Sequence, residues 1–566
     1  MRKVIFIVAI STALLSTLPQ TIIAQSVTDL IIKYGEDKGA LYRTYRVHES
    51  STFYDRMTRF YNEFGKELNK VDFTKLTKTE KADYILLKNQ IEKDQYFFGL
   101  DKIEFDEVAH VVKFATPLYD FILQRADGKS PDARAVASAF DAMSATFAKE
   151  NENLKKSPFS SWQKAEKAFQ VVEGLRRGLV EAYHFYKGYD PMFSWWSERP
   201  FIALDSSMSK YAKLLRTNYT NTSVKDDGSG IIGKPIGRAA LIKSLQTEFI
   251  PYSPEELIAI AQKQFAWCDA EMLKASKELG FGNNWKGALE KVKNTYVAPG
   301  EQPAMVVGLA EEAVKFLEER DLVTIPPLAK ETWRTTMMSP EAQRLNPFFL
   351  GGEEIIISYP TNDMEHREKL MSMRGNNPHF SKATVHHELI PGHHLQQFMQ
   401  SRHKTYRYIF DTPFWIEGWA LYWELNLWDK GFAKSPEDRI GMLFWRMHRC
   451  ARIIFSLSYH LEKMTPQQCI DFLVDRVGHE YANAEAEVRR SFTGGYGPLY
   501  QIAYMIGGLQ LYELKNELVG SGKMTEKQFH DSVLKENSIP IEILRAILRE
   551  EDLPESYKPS WKFMKT

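Results

Sequence analysis

Between Ala383 and Gln396 the chain reads Ala-Thr-Val-His-His-Glu-Leu-Ile-Pro-Gly-His-His-Leu-Gln, and no other stretch restricts its fold as strongly. Four of the 14 histidines in the chain fall here, packed around one glutamate. Neutral imidazoles are zinc ligands, and a carboxylate beside them can take a proton from a water on the metal. The common arrangement, His-Glu-x-x-His, sets two histidines four apart on one helical face. Here the fourth position after His387 is Pro391. On an unbroken helix His387 and His394 would share a face but stand about 10 Å apart along the axis. Two nitrogens each about 2.1 Å from one zinc cannot be so distant. Proline removes a backbone donor and glycine relaxes the backbone, so Pro391-Gly392 is expected to break or bulge the helix and return His393 to His387. The expected ligands are His387 and His393, with Glu388 as base. His386 and His394 are alternates that would shift the frame by one.

A third ligand is expected from the next helix, where Pro413-Phe414-Trp415-Ile416-Glu417-Gly418-Trp419-Ala420-Leu421-Tyr422-Trp423-Glu424 carries Glu417. Glu424, seven residues on, shares its face and is expected to hydrogen-bond a ligand histidine. Together, His-His-Glu-Leu-Ile-Pro-Gly-His-His-Leu-Gln and Glu-Gly-Trp-Ala-Leu-Tyr-Trp-Glu resemble an uncharacterised bacterial family within the gluzincin metallopeptidase clan. That clan includes the angiotensin-converting enzyme branch, the oligopeptidases and the Taq-type carboxypeptidases. The resemblance extends more loosely from about Gly237 to Gly507. It implies a mainly α, multi-helical, two-lobed fold with a cleft and a small β element beside the zinc helix. It also implies Zn2+ as cofactor and a peptide as substrate.

Gly351 to Pro360 holds three consecutive isoleucines between turn formers and reads as a strand. In the resembled clan such a strand offers its edge to an extended peptide; a short buried hairpin is the alternative. Downstream, Tyr496, Tyr500 and Tyr504 recur at four-residue steps, and a phenol aimed into the cleft would donate to the oxyanion of a tetrahedral intermediate. Tyr500 and Tyr496 both qualify. Ser491 stands where the oligopeptidases carry a histidine. Arg490 is placed either to bind a substrate carboxylate or to make a surface ion pair.

Elsewhere the sequence frames this site. Residues 1–25 carry a basic start, an apolar run and a small residue at Ala24, and read as a signal peptide for periplasmic or secreted export. No later apolar stretch reaches spanning length, so no integral membrane domain is expected. Lys+Arg and Asp+Glu both number 73, which argues against nucleic acid as a partner. Three cysteines without a Cys-x-x-Cys exclude a disulfide scaffold and a thiolate metal site. Residues 26–252 read as an N-terminal helical lobe forming one wall of the cleft, and 253–566 as the catalytic lobe. Ser253-Pro254-Glu255-Glu256 marks a helix start by its capping serine, first-turn proline and third-position glutamate. The expected function is hydrolysis of peptide bonds by a zinc-activated water. The alternatives are a zinc hydrolase of another amide or ester, and a non-catalytic secreted binding protein with a structural metal.

Overall fold

The computed structural model describes residues 26–565, apart from 126–127, 157–158, 160, 222–225, 344–345 and 347. The expected signal peptide lies outside the described residues. Among the described residues the chain is mainly helical, with two short strands, β1 (Arg334–Met337) and β2 (Glu354–Ile357). None of the described helices is long and apolar enough to cross a membrane.

Helix boundaries follow the local chemistry. The Ser253 hydroxyl accepts from the Glu256 amide, the Glu256 carboxylate accepts from the Ser253 amide, and the helix runs Pro254–Glu278. Tyr54, Met57, Phe60, Tyr61 and Phe64 recur every three or four residues and form the buried stripe of the helix Ser51–Leu68. Two large apolar clusters result. One gathers residues from 27–91 and from 231–563; the other is built within 47–215, around the helices Ala133–Lys156, Trp162–Tyr186 and Pro191–Asn221. Cys268, Cys450 and Cys469 are buried and unbonded.

The strand expected over Gly351–Pro360 is β2, which pairs in parallel with β1. Periodicity cannot supply that partner, which comes from a segment with no strand signature of its own. Ile355 and Ile357 point inward and pack on Val385 and Leu389, at the back of the helix Pro378–Glu388. Burying each such side chain contributes about 1.5–3 kcal/mol, enough to fix the helix end that carries the histidines. The expectation of an open β2 edge needs correction at Ile356. There Leu350 already bonds in both directions, at 2.8 and 3.1 Å, because Gly351-Gly352 lets the chain turn back.

The helices Pro413–Asp429 and Tyr500–Val519 cross at their glycines. A Cβ on Gly507 would lie 1.9 Å from the Phe414 carbonyl oxygen, and one on Gly418 would lie 2.6 Å from the Gly507 backbone. This approach sets the tyrosines of one helix against the glutamates of the other. Gly507→Ala must wedge the pair apart, with an expected loss of about 1–3 kcal/mol or more in denaturant unfolding. An unchanged midpoint would show that the crossing tolerates the methyl group.

Candidate metal centre

Of the two outcomes expected at Pro391-Gly392, a break or a bulge, the structure shows a break. One helix ends at Glu388, four residues turn through a cis Ile390–Pro391 peptide, and a second helix begins at His393 and runs to Gln400. Gly392 folds back onto the first helix, its amide donating to the His386 carbonyl at 3.0 Å. A Cβ at Gly392 would sit 1.8 Å from the His387 carbonyl oxygen, so the position accepts only glycine. The Trp419 indole donates to the Pro391 carbonyl at 2.8 Å and ties the turn to the next helix.

The break brings the His387 and His393 rings to 5.0 Å between centroids, nearly perpendicular. Glu417, on the helix Pro413–Asp429, places Oε2 3.7 Å from His387 Nε2 and 3.2 Å from His393 Nε2. Glu388 joins them: one ligand atom each of His387, Glu388 and His393 lie within 4.8 Å of one another. Glu388 remains partly exposed, while both histidines are buried. Gly351 closes over it, since a Cβ there would meet the Glu388 carboxylate and backbone at 2.2 and 2.7 Å.

Each converging side chain is held from behind. His387 Nδ1 lies 2.8 Å from Glu424 Oε1, an ion-pair contact not aligned as a linear hydrogen bond. Arg449 reaches the same oxygen at 3.5 Å. His393 Nδ1 meets Gln396 Oε1 at 3.3 Å, and the Gln396 amide donates to the carbonyls of Trp415 and Ile416. Tyr500 donates its phenolic proton to Glu417 Oε1. Partners of this kind fix the tautomer and orientation of a metal ligand.

Electrostatics follow from this packing. Burial would lower the pKa of His387, but the carboxylates of Glu417 and Glu424 outweigh it and raise the value to about 9. Burial opposes ionisation of Glu417, yet His393 and His387 hold it well below the usual carboxylate range. Glu388 is pushed up from the usual carboxylate value, chiefly by burial. His386 faces away, its ring edge-on to Phe432 with neither nitrogen bonded, and burial depresses its pKa to about 3. Successive residues on a helix point roughly 100° apart, so His386 cannot share the site with His387.

His394 turns away from the cluster. Its Nε2 lies 2.7 Å from the Ala329 carbonyl oxygen. Tyr496 packs at a tilt on Tyr500, 4.4 Å between ring centres, and Tyr504 stacks nearly parallel to His387 at 6.2 Å. Arg490 is buried rather than on the surface, its guanidinium 4.7 Å from the Tyr496 ring centre. Gln396 was not singled out from the sequence, although it sits three residues after His393, where helical neighbours meet. Trp419 and Gly351 carried no local signal of their role.

A cavity of about 520 Å³ opens onto Glu417 and Tyr500, with Lys93, Phe97 and Glu248 among its lining residues. Helices of both the N-terminal and the C-terminal half thus meet at its walls.

The family model for bacterial proteins of unknown function, DUF885, matches residues 39–548. The chain belongs to this family. Two solved structures share the fold of this DUF885 chain. One is a protein of Shewanella oneidensis, provisionally described as a lipoprotein of unknown function; it is 17% identical, with a TM-score of 0.70 over 93% of this chain and 100% of that one. The other, provisionally described as a lipoprotein from Colwellia psychrerythraea, is 16% identical, with a TM-score of 0.61 over 93% and 99%. No curated protein matches the DUF885 chain.

Proposed function

We propose that this DUF885 protein is a zinc-dependent peptidase of the gluzincin type, working outside the cytoplasm on oligopeptides. The observation that carries the proposal is the convergence of His387, His393 and Glu417. Ligands about 2.1 Å from a tetrahedral zinc stand roughly 3.4 Å apart. The Glu417 oxygen lies 3.2 and 3.7 Å from the two imidazole nitrogens, and it is buried with no hydrogen-bond donor of its own. An orphaned buried carboxylate oxygen between two imidazoles is a donor set that fits the ion.

His387, His393 and Glu417 would hold zinc, which when bound makes water acidic and polarises a carbonyl. Glu388, partly exposed and raised in pKa, takes the proton of the attacking water and returns it to the leaving amine. Glu424 and Gln396 keep both imidazoles presenting Nε2. Tyr500 is favoured over Tyr496 as the donor to a developing oxyanion, because its hydroxyl already stands at Glu417. The extracytoplasmic setting rests on the export signal read from residues 1–25 and agrees with the lipoprotein descriptions of the two structural neighbours.

Purified protein is expected to bind one zinc per chain and to cleave a mixed oligopeptide pool, with cleavage stopped by a chelator and restored by zinc. Turnover of esters or non-peptide amides alone would replace the peptidase with another hydrolase. Zinc without turnover, with a chelator that unfolds the chain, would make the ion structural.

A further inference from the structure

Arg490 is 7% exposed, yet among the described residues it makes no hydrogen bond and no ion pair, and its Nε is buried without a partner. Burying a guanidinium without hydrogen-bond partners is expensive. The nearby carboxylate of Glu487 is taken by Arg452, whose Nε bonds Glu487 Oε1 at 2.7 Å. Arg449 and Arg452 stack on Tyr504 at 4.5 and 4.4 Å. Arg449 pairs with Glu424 and Arg452 with Glu487, while Arg490 lies close enough to feel the Glu487 charge yet keeps its donors unbonded among the described residues. It connects to the metal centre through two ring contacts: it covers Tyr496, whose ring packs at a tilt on Tyr500, which bonds Glu417. An unspent planar fork of donors matches a carboxylate, which it binds bidentately.

We infer that Arg490 receives the terminal carboxylate of the substrate, which makes the protein a carboxypeptidase that removes residues from a free C-terminus. The inference rests on the peptidase proposed above and names its substrate class. In such a substrate the terminal carboxylate lies one residue, about 3.8 Å, beyond the scissile carbonyl. In the reaction, the hydroxyl of water joins the carbonyl carbon, the C–N bond breaks, and the remaining proton goes to the amine. The products are a shortened peptide acid and a free amino acid.

The test compares N-acetylated tripeptides as free acids and as C-terminal amides. Equilibrium dialysis uses the full-length, zinc-loaded protein carrying Glu388→Gln, so that binding is read without turnover. Free acids are expected to bind roughly 10- to 100-fold more tightly than amides, the value of a charge-assisted contact. Adding Arg490→Gln should abolish that preference, and Arg490→Lys should restore only part of it. If the Arg490 variants do not fold, the acid-against-amide comparison alone decides. Equal binding of acids and amides, or a preference that survives Arg490→Gln, overturns the inference. Wild-type protein should release single C-terminal amino acids from the acids. Internal cleavage of acids and amides at equal rates would overturn the exopeptidase and keep the peptidase. Absence of any cleavage, alongside a clear binding preference for acids, would overturn the peptidase and leave the carboxylate site standing.

Discussion

Glu388→Gln is expected to lower peptide hydrolysis by roughly 10²- to 10⁴-fold while one zinc per chain is retained. Glutamine keeps the shape and the packing against Gly351 but cannot take a proton from water. Glu388 also has a ligand atom within 4.8 Å of those of His387 and His393, which makes it a geometric rival of Glu417 for the metal. The rival is disfavoured because Glu417 is the buried carboxylate lying between both Nε2 atoms, while Glu388 is partly exposed. Metal analysis of the variant separates the two. Loss of zinc with Glu388→Gln would make Glu388 a ligand and leave the base unassigned. Full activity in the variant would remove it from the chemistry.

Zinc affinity is expected to climb with pH up to about 9 and then level off. In the metal-free protein His387 has a pKa raised to about 9, so over the neutral range it carries a proton that zinc must displace. One displaced proton gives about a tenfold gain in affinity per pH unit between roughly pH 7 and 9. The protonated His387, paired with Glu417 and Glu424, also stabilises the metal-free fold. That contribution is complete below the ordinary histidine value and is lost as pH rises through about 9. Glu424→Gln should flatten the pH profile and cost about 10- to 100-fold in affinity, the range for a partner behind a ligand. Glu417→Gln should cost more than Glu424→Gln, because it removes a donor to the ion itself. Calorimetry in buffers of different ionisation enthalpy counts the protons released. A flat profile, or equal losses for the two variants, would show that His387 and Glu417 do not share one cation.

Much of the candidate site could be read from residue type and spacing. His387 pairs with His393 through a Pro-Gly turn and Glu417 with Glu424 through a seven-residue helical repeat; both are local constraints, and local geometry survives folding. Helix starts such as Ser253-Pro254 were legible for the same reason. The frame between His393 and His394 was not legible, since either ring could turn inward until Ala329 and Gln396 were in place. Nor was the parallel partner of β2, whose four residues are all exposed and lack any apolar alternation.

The sequence by itself pointed to which groups could bind a metal and to a break or bulge of the motif helix between them. Only the tertiary structure decided the rest: that Gln396 stands behind His393, that Gly507 brings Tyr500 onto Glu417, and that Arg490 is buried with its Nε unbonded among the described residues. The physical reason is range. Backbone sterics and helical periodicity act over a few residues and are written in adjacent letters. Burial and charge balance depend on which distant helices pack together, and no single segment records that.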